Sequence, residues 1–275
     1  MLKFFVPILY SIETRYDRNR IKGILLYLAI YLIPQIVLMH CFAHDVDKLI
    51  LAIAIILVND LYEIGYIQND AETIKKEKKP TMRLLTQELR FYERYKLLIY
   101  TLRLLIAMAL SYVLLCHYDF SLYSIIMIIV LGLLLPIYYL YNSMRNAWNL
   151  LILTILTSYR YIMPLLLCVT SARIAIGAGI YAYLMYPLPT IIQQCVMGKF
   201  DVKIKLVGKL FISDIKDRYS FRVKYYLALS LLFLFTCLLY SNDIKWILLI
   251  LPGYYLILRA TLCLAVLMRD VQKER

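Results

Sequence analysis

Predominantly apolar runs of 17 or more residues recur along this chain, with no alternation of polar and apolar positions at period two. A hydrocarbon layer about 30 Å thick takes about 20 residues of α-helix to cross, whereas a barrel strand is shorter and alternates. The runs therefore predict membrane helices. Eight are expected, at roughly 22–41, 46–67, 97–116, 120–142, 147–170, 173–196, 223–241 and 244–267. Composition points the same way, since 63% of the 275 residues are hydrophobic and 18% charged, too little polar surface to wrap a globule in water. A water-soluble enzyme and a disordered chain are both excluded. The expectation is a single all-α polytopic domain over residues 1–275.

The net charge of +13 suggests nucleic acid until the basic residues are located. The connection 68–96 carries Lys75, Lys76, Lys78, Lys79, Arg83, Arg90, Arg94 and Lys96. The connection 199–224 carries Lys199, Lys203, Lys205, Lys209, Lys216, Arg218, Arg222 and Lys224, and the two together hold 16 of the 31 positive charges. With Arg15, Arg18, Arg20 and Lys22 ahead of the first run, the basic segments fall on alternate sides of the span count. By the positive-inside rule both termini and both long connections face the cytoplasm, and no nucleic-acid partner is expected. The apolar stretch from Phe4 to Leu9 is short and holds Pro7, so it reads as an interfacial segment and not as a signal peptide. The six cysteines stand singly and read as packing residues, and His40 and His44 as interfacial side chains.

The informative residues interrupt the apolar runs. In the second run Asn59, Asp60 and Glu63 follow ten residues that are all hydrophobic. Carboxylates at that depth are costly and mark a pathway or a site. Helical spacing puts the amide and both acids on one side, and Asp70 lies ten residues further on. Three clustered acids repel one another unless a cation sits among them, an arrangement suited to Mg²⁺, while Lys75, Lys76, Lys78 and Lys79 supply charge for phosphate. The plainer alternative is a helix cap beside topology-setting lysines. Arg103, Arg160 and Arg259 also interrupt apolar runs, expensive enough to suggest that they face a cavity or pair internally. Among the 26 tyrosines, Tyr66, Tyr139, Tyr141, Tyr159 and Tyr161 are candidate cavity residues.

The stretch Asn59-Asp60, Glu63, Asp70, Lys75 and Lys79-Pro80 resembles the first motif of the UbiA superfamily of intramembrane prenyltransferases, Asn-Asp-x-x-Asp-x-x-x-Asp followed by a basic residue and Arg-Pro. Counted back from Pro80, Asp70 takes the last acidic place, Lys75 the basic place and Lys79 the Arg of Arg-Pro. Three extra residues separate Asn59-Asp60 from Asp70, so the middle place falls to Glu63 from one side and to Tyr66 from the other. Tyr141 to Asn146 is similar to the family's Tyr-Pro-x-x-Lys-Arg turn, with Arg145 in the Lys place. For the family's second acidic cluster the chain offers Asp214, Lys216, Asp217 and Arg218, or the isolated Asp201.

The resemblance implies a bundle of membrane helices, nine in the usual family pattern, around a central cavity capped by two cytoplasmic loops. It implies Asn59, Asp60, Glu63, Asp70, Asp214 and Asp217 as catalytic residues, the five acids among them holding Mg²⁺. Lys75, Lys79, Arg145, Lys216, Arg218 and Tyr141 are implied as substrate contacts beside Arg160 and Tyr161. The implied reaction is Mg²⁺-dependent transfer of an isoprenyl group from a prenyl diphosphate to an aromatic or lipid acceptor, within a bacterial or archaeal cytoplasmic membrane. Polyprenyl-phosphate phosphoribosyl transfer and terpene cyclisation are the alternatives inside the superfamily. A cation-coupled transporter ranks third, because no paired inverted repeat is visible. Chain length, acceptor and oligomeric state are left open.

Overall fold

A computed structural model describes residues 1–43, 46–76, 81–144, 146–196, 218–239, 246 and 248–273. Lys79, Arg145, Asp201, Asp214, Lys216 and Asp217, and the side chain of Arg218, lie outside the described part. Among the described residues there is no strand, and eight helices are long and apolar enough to cross a membrane. They are α1 (Arg20–Phe42), α2 (Lys48–Ala71), α3 (Thr86–His117), α4 (Leu122–Ser143), α5 (Trp148–Leu166), α6 (Ala172–Cys195), α7 (Arg218–Leu239) and α8 (Ile250–Lys273). The protein is an all-α polytopic membrane protein.

The helix starts follow capping chemistry. The side chains of Asn19, Asp47 and Ser121 accept from the backbone N–H of Lys22, Leu49 and Ser124, each satisfying a donor that the first helical turn leaves open. Helix α3 begins well before the expected 97. Its first turns, Thr86 to Lys96, are polar but made of good helix formers, and Glu88 reaches back to the Leu85 N–H at 2.9 Å. Hydropathy sees the membrane-crossing part of such a helix and misses the part that stands outside. Helix α4 is interrupted at Leu133, where Pro136 would crowd the carbonyl four residues back.

The chain forms two compact units, Met1–Ala182 and Tyr183–Arg275. In the first, α2 is the central element and packs on α3, α4 and α5. The glycine at position 65 is needed there, because a Cβ would overlap the ring of Tyr138 from α4. The Asn142 amide then donates to the Gly65 carbonyl at 3.2 Å and to Gln68 Oε1 at 3.1 Å. In the second unit α7 packs on α8, and Tyr226 stacks on Tyr255 with ring centroids 5.0 Å apart.

The segment ahead of α1 departs from the interfacial expectation. Short turns at Leu2–Phe4, Leu9–Ser11 and Ile12–Tyr16 fold it against α2 and α3. Phe4 and Tyr10 are fully buried in a cluster with Ile67, Tyr92 and Ile99. The run from Phe4 to Leu9 is too short to show a period, so its burial was not legible from hydropathy.

Candidate functional site

The three acids of α2 occupy one face of the helix at two depths. Ten residues separate Asp60 from Asp70, about 15 Å of helix axis, and each level has its own arginines. All three carboxylates are buried.

At the deeper level, Arg103 of α3 is fully buried and uses all five of its N–H groups. Nη1 donates to Asp60 Oδ1 at 2.7 Å and to Glu63 Oε2 at 2.9 Å. Nε donates to the Phe4 carbonyl at 2.9 Å, and Nη2 to those of Lys3 and Val6 at 3.0 and 3.3 Å. Glu63 in turn accepts from the backbone N–H of Ile8 at 3.0 Å and of Ser11 at 2.6 Å. Ile8 has φ 74°, a left-handed conformation that a β-branched side chain resists. It is held there while its N–H points at the carboxylate. The ion cluster thus clamps the backbone of residues 3–11.

At the outer level, Asp70 accepts from Tyr10 Oη at 3.0 Å, from Arg15 Nη2 at 2.9 Å and from Arg83 Nη1 at 3.2 Å. Arg15 Nη1 lies 2.8 Å from Asp70 Oδ2, near enough for charge pairing though misaligned for a hydrogen bond. Burial works against the Arg15 charge, but Asp70 together with the Tyr66 and Tyr10 hydroxyls outweighs it and holds the guanidinium above its ordinary range. Burial and the facing Asp70 push the Tyr10 hydroxyl well above the usual tyrosine value, so it stays a donor. Arg15 also lies over the Tyr66 ring, 4.1 Å from its centroid.

Arg160 of α5 reaches the other side of Tyr66. Its Nη1 donates to Tyr66 Oη at 2.9 Å and its Nη2 lies 3.4 Å from Tyr16 Oη. The rings of Tyr31 and Tyr62 face the guanidinium at 5.1 and 5.2 Å. Its Nε is buried without a partner, and no carboxylate pairs with it among the described residues. Arg15, Arg83 and Arg103 are thus paired with the three acids of α2, and Arg160 is the guanidinium of the group that has no carboxylate partner among the described residues. Beside them a cleft of about 390 Å³ opens between residues 13–18 and 82–83, where Arg15, Arg18 and Arg83 stand with Tyr16 and with two acids, Asp17, paired with Lys22 at 2.9 Å, and Glu13, 3.9 Å from Lys3 and 3.8 Å from Arg20. Arg18 is exposed and has no partner among the described residues.

The expected residues divide. Asn59 donates to Tyr31 Oη at 3.1 Å and to the Ile55 carbonyl at 2.8 Å, so it ties α2 to α1. Tyr161 is buried, with its ring 5.2 Å from that of Tyr31. Tyr141 is half-buried, 6.3 Å from the ring of Tyr138. Lys75 is half-exposed and turned to Glu93 at 3.1 Å and Glu72 at 3.8 Å. Arg15, Arg83 and Tyr10 carry much of the cluster and were not singled out from sequence. The two arginines were absorbed in basic stretches that topology already explained, and no spacing motif marks them.

A divalent ion does not fit the described donors. Both oxygens of Glu63 and both of Asp70 are already engaged, and only Asp60 Oδ2 lacks a partner. Among the described residues no three acids, histidines or cysteines gather as a metal site. What the arrangement offers is guanidinium and phenol donors, suited to an anion. Fold and cluster together define an integral-membrane helical protein with an arginine–tyrosine site at the end of α2. Comparison with protein-family models, with curated proteins and with solved structures found no match to the chain.

Proposed function

We propose that the protein is an intramembrane transferase whose donor substrate is an isoprenoid diphosphate. One observation carries this reading: a cleft that brings Arg15, Arg18 and Arg83 together, with its acids Asp17 and Glu13 turned to Lys22 and to Lys3 and Arg20, backed through Tyr16 by Arg160, which has no carboxylate partner among the described residues. A buried cation without a counter-ion is costly, and a diphosphate entering the cleft supplies the missing negative charge. Guanidiniums suit that head group because their planar N–H forks match phosphate oxygens.

In the proposed reaction the allylic carbon–oxygen bond breaks and its electron pair leaves on the diphosphate, which Arg15, Arg18 and Arg83 neutralise. A π bond of the acceptor attacks the allylic carbon, and the acceptor then gives up a proton to the released diphosphate and regains its neutral form. Tyr16, Tyr62 and Tyr66 present electron-rich rings beside Arg160 and keep water from the cation. A metal reaching Asp70 would have to displace Arg15, and Asp60 Oδ2 is a single open carboxylate oxygen, too few ligands for a divalent ion, so no step is assigned to Mg²⁺. The distribution of basic residues supports a cytoplasmic-membrane location with both termini inside.

The test is diphosphate release from farnesyl and geranylgeranyl diphosphate by the detergent-purified chain, with an aromatic acceptor present. Release should fall at least about tenfold in Arg83→Gln, equivalent to about 1.4 kcal/mol of lost transition-state binding. Absence of release from any prenyl diphosphate, by protein that remains folded, would reject the reaction.

A further inference from the structure

A second cavity of about 270 Å³ lies away from the arginine cluster, between α2, α3 and α4. Its walls come from helix faces at one-turn spacing, Ile64, Gln68 and Glu72 on one side and Lys96, Tyr100 and Leu104 on the other. The helices are antiparallel, so the walls match level by level. At one end Lys96 Nζ donates to Glu72 Oε1 at 2.7 Å, with both side chains partly exposed; the same oxygen accepts from Tyr92 Oη at 2.9 Å, and Lys75 Nζ lies 3.8 Å from Oε2. Midway stand the Gln68 amide and the Tyr100 hydroxyl. The Gln68 oxygen is taken by Asn142, and its NH₂ group has no partner among the described residues. At the far end the walls are Ile64 and Leu104, with the Tyr138 ring alongside. Over about 12 Å of helix the surface passes from an ion pair through hydrogen-bonding groups to hydrocarbon.

We infer that this groove is a binding site for a phospholipid with a zwitterionic, amine-bearing head. The graded polarity follows the order of such a lipid: charged head, carbonyl-bearing linkage, acyl chain. The ion pair selects the head. An ammonium can take Glu72 while the phosphate takes Lys96, so both charges keep partners when the Lys96–Glu72 contact opens. A purely anionic head would take Lys96 and set like charge beside Glu72, left with Tyr92 and the more distant Lys75, and a lipid without a head would leave the pair unused. The groove is separate from the proposed reaction, and its occupancy is read without any turnover.

Native mass spectrometry of the full chain in detergent, titrated with phosphatidylethanolamine, phosphatidylglycerol and diacylglycerol, tests the proposal. Phosphatidylethanolamine should be retained about tenfold better than diacylglycerol, and better than phosphatidylglycerol. Glu72→Gln should reverse the preference between the two phospholipids. Leu104→Trp, at a partly exposed position, should fill the apolar end and abolish retention with little change in thermal unfolding. Equal retention of all three lipids by the wild type would overturn the proposal. So would an unchanged preference in Glu72→Gln, a readout that holds even if the tryptophan variant fails to fold.

Discussion

Arg103 shows how a charge survives in the membrane interior. With two carboxylates and three carbonyls on its five donors, none of its hydrogen-bonding capacity is left facing hydrocarbon. Arg103→Leu should cost about 3–5 kcal/mol, because it leaves Asp60 and Glu63 buried without a cation. Thermal unfolding in detergent should show the loss, and Arg103→Leu combined with Asp60→Leu should recover part of it. A single substitution no worse than an exposed-surface change would mean that the cluster is not a unit. At the outer level the raised Arg15 and Tyr10 values keep the guanidinium charged and the phenol protonated, so both donors to Asp70 persist from neutrality to about pH 10. Affinity for a prenyl diphosphate should therefore stay level between pH 7 and about pH 9.5, and a steep alkaline fall would point to a lysine as the principal contact. The sequence marked Arg103 and Arg160 through the cost of charge at depth. It could not name their partners, because those include backbone groups of a segment whose fold has no period to read.

Helices in a bilayer must also satisfy the carbonyls that prolines strand, and here tyrosines from neighbouring helices supply the donors. Pro164 cannot bond the Arg160 carbonyl, which accepts instead from Tyr31 Oη at 3.0 Å. Pro189 leaves the Met185 carbonyl to Tyr226 Oη at 2.6 Å. The last carbonyls of α5 receive Tyr123 at Leu166, and beyond it Cys168 receives Tyr118. Tyr159, a candidate cavity residue from sequence, donates to the Val130 carbonyl beside the α4 interruption. Tyr31→Phe should therefore cost about 1–3 kcal/mol in thermal unfolding by leaving a buried carbonyl unpaired, and Tyr139→Phe, at an exposed position, close to nothing. Gly65→Ala should cost about 1–3 kcal/mol by pushing Tyr138 off α2, and its effect should largely vanish when combined with Tyr138→Ala. Helix positions were legible in the apolar runs, since hydropathy reports what must sit in lipid. The early start of α3 and the break at Leu133 were not, because capping and proline geometry act outside that signal.

For the molecule as a whole, eight apolar helices account for membrane residence, and 16 of the 31 basic residues fall in the stretches 68–96 and 199–224. What remains is Arg160, buried beside Tyr16 and Tyr66 with no carboxylate partner among the described residues. The motif acids were visible in the sequence as out-of-place charges, but their use was not. Spacing along α2 predicts a shared face, and says nothing of arginines arriving from residues 15, 83 and 103. Direct binding of geranylgeranyl diphosphate to the detergent-purified chain, in EDTA, tests the central claim that guanidiniums hold the anion. Binding should persist in EDTA, weaken about tenfold in Arg18→Gln and weaken further in Arg83→Gln. Binding that needs Mg²⁺ and ignores both substitutions would contradict it.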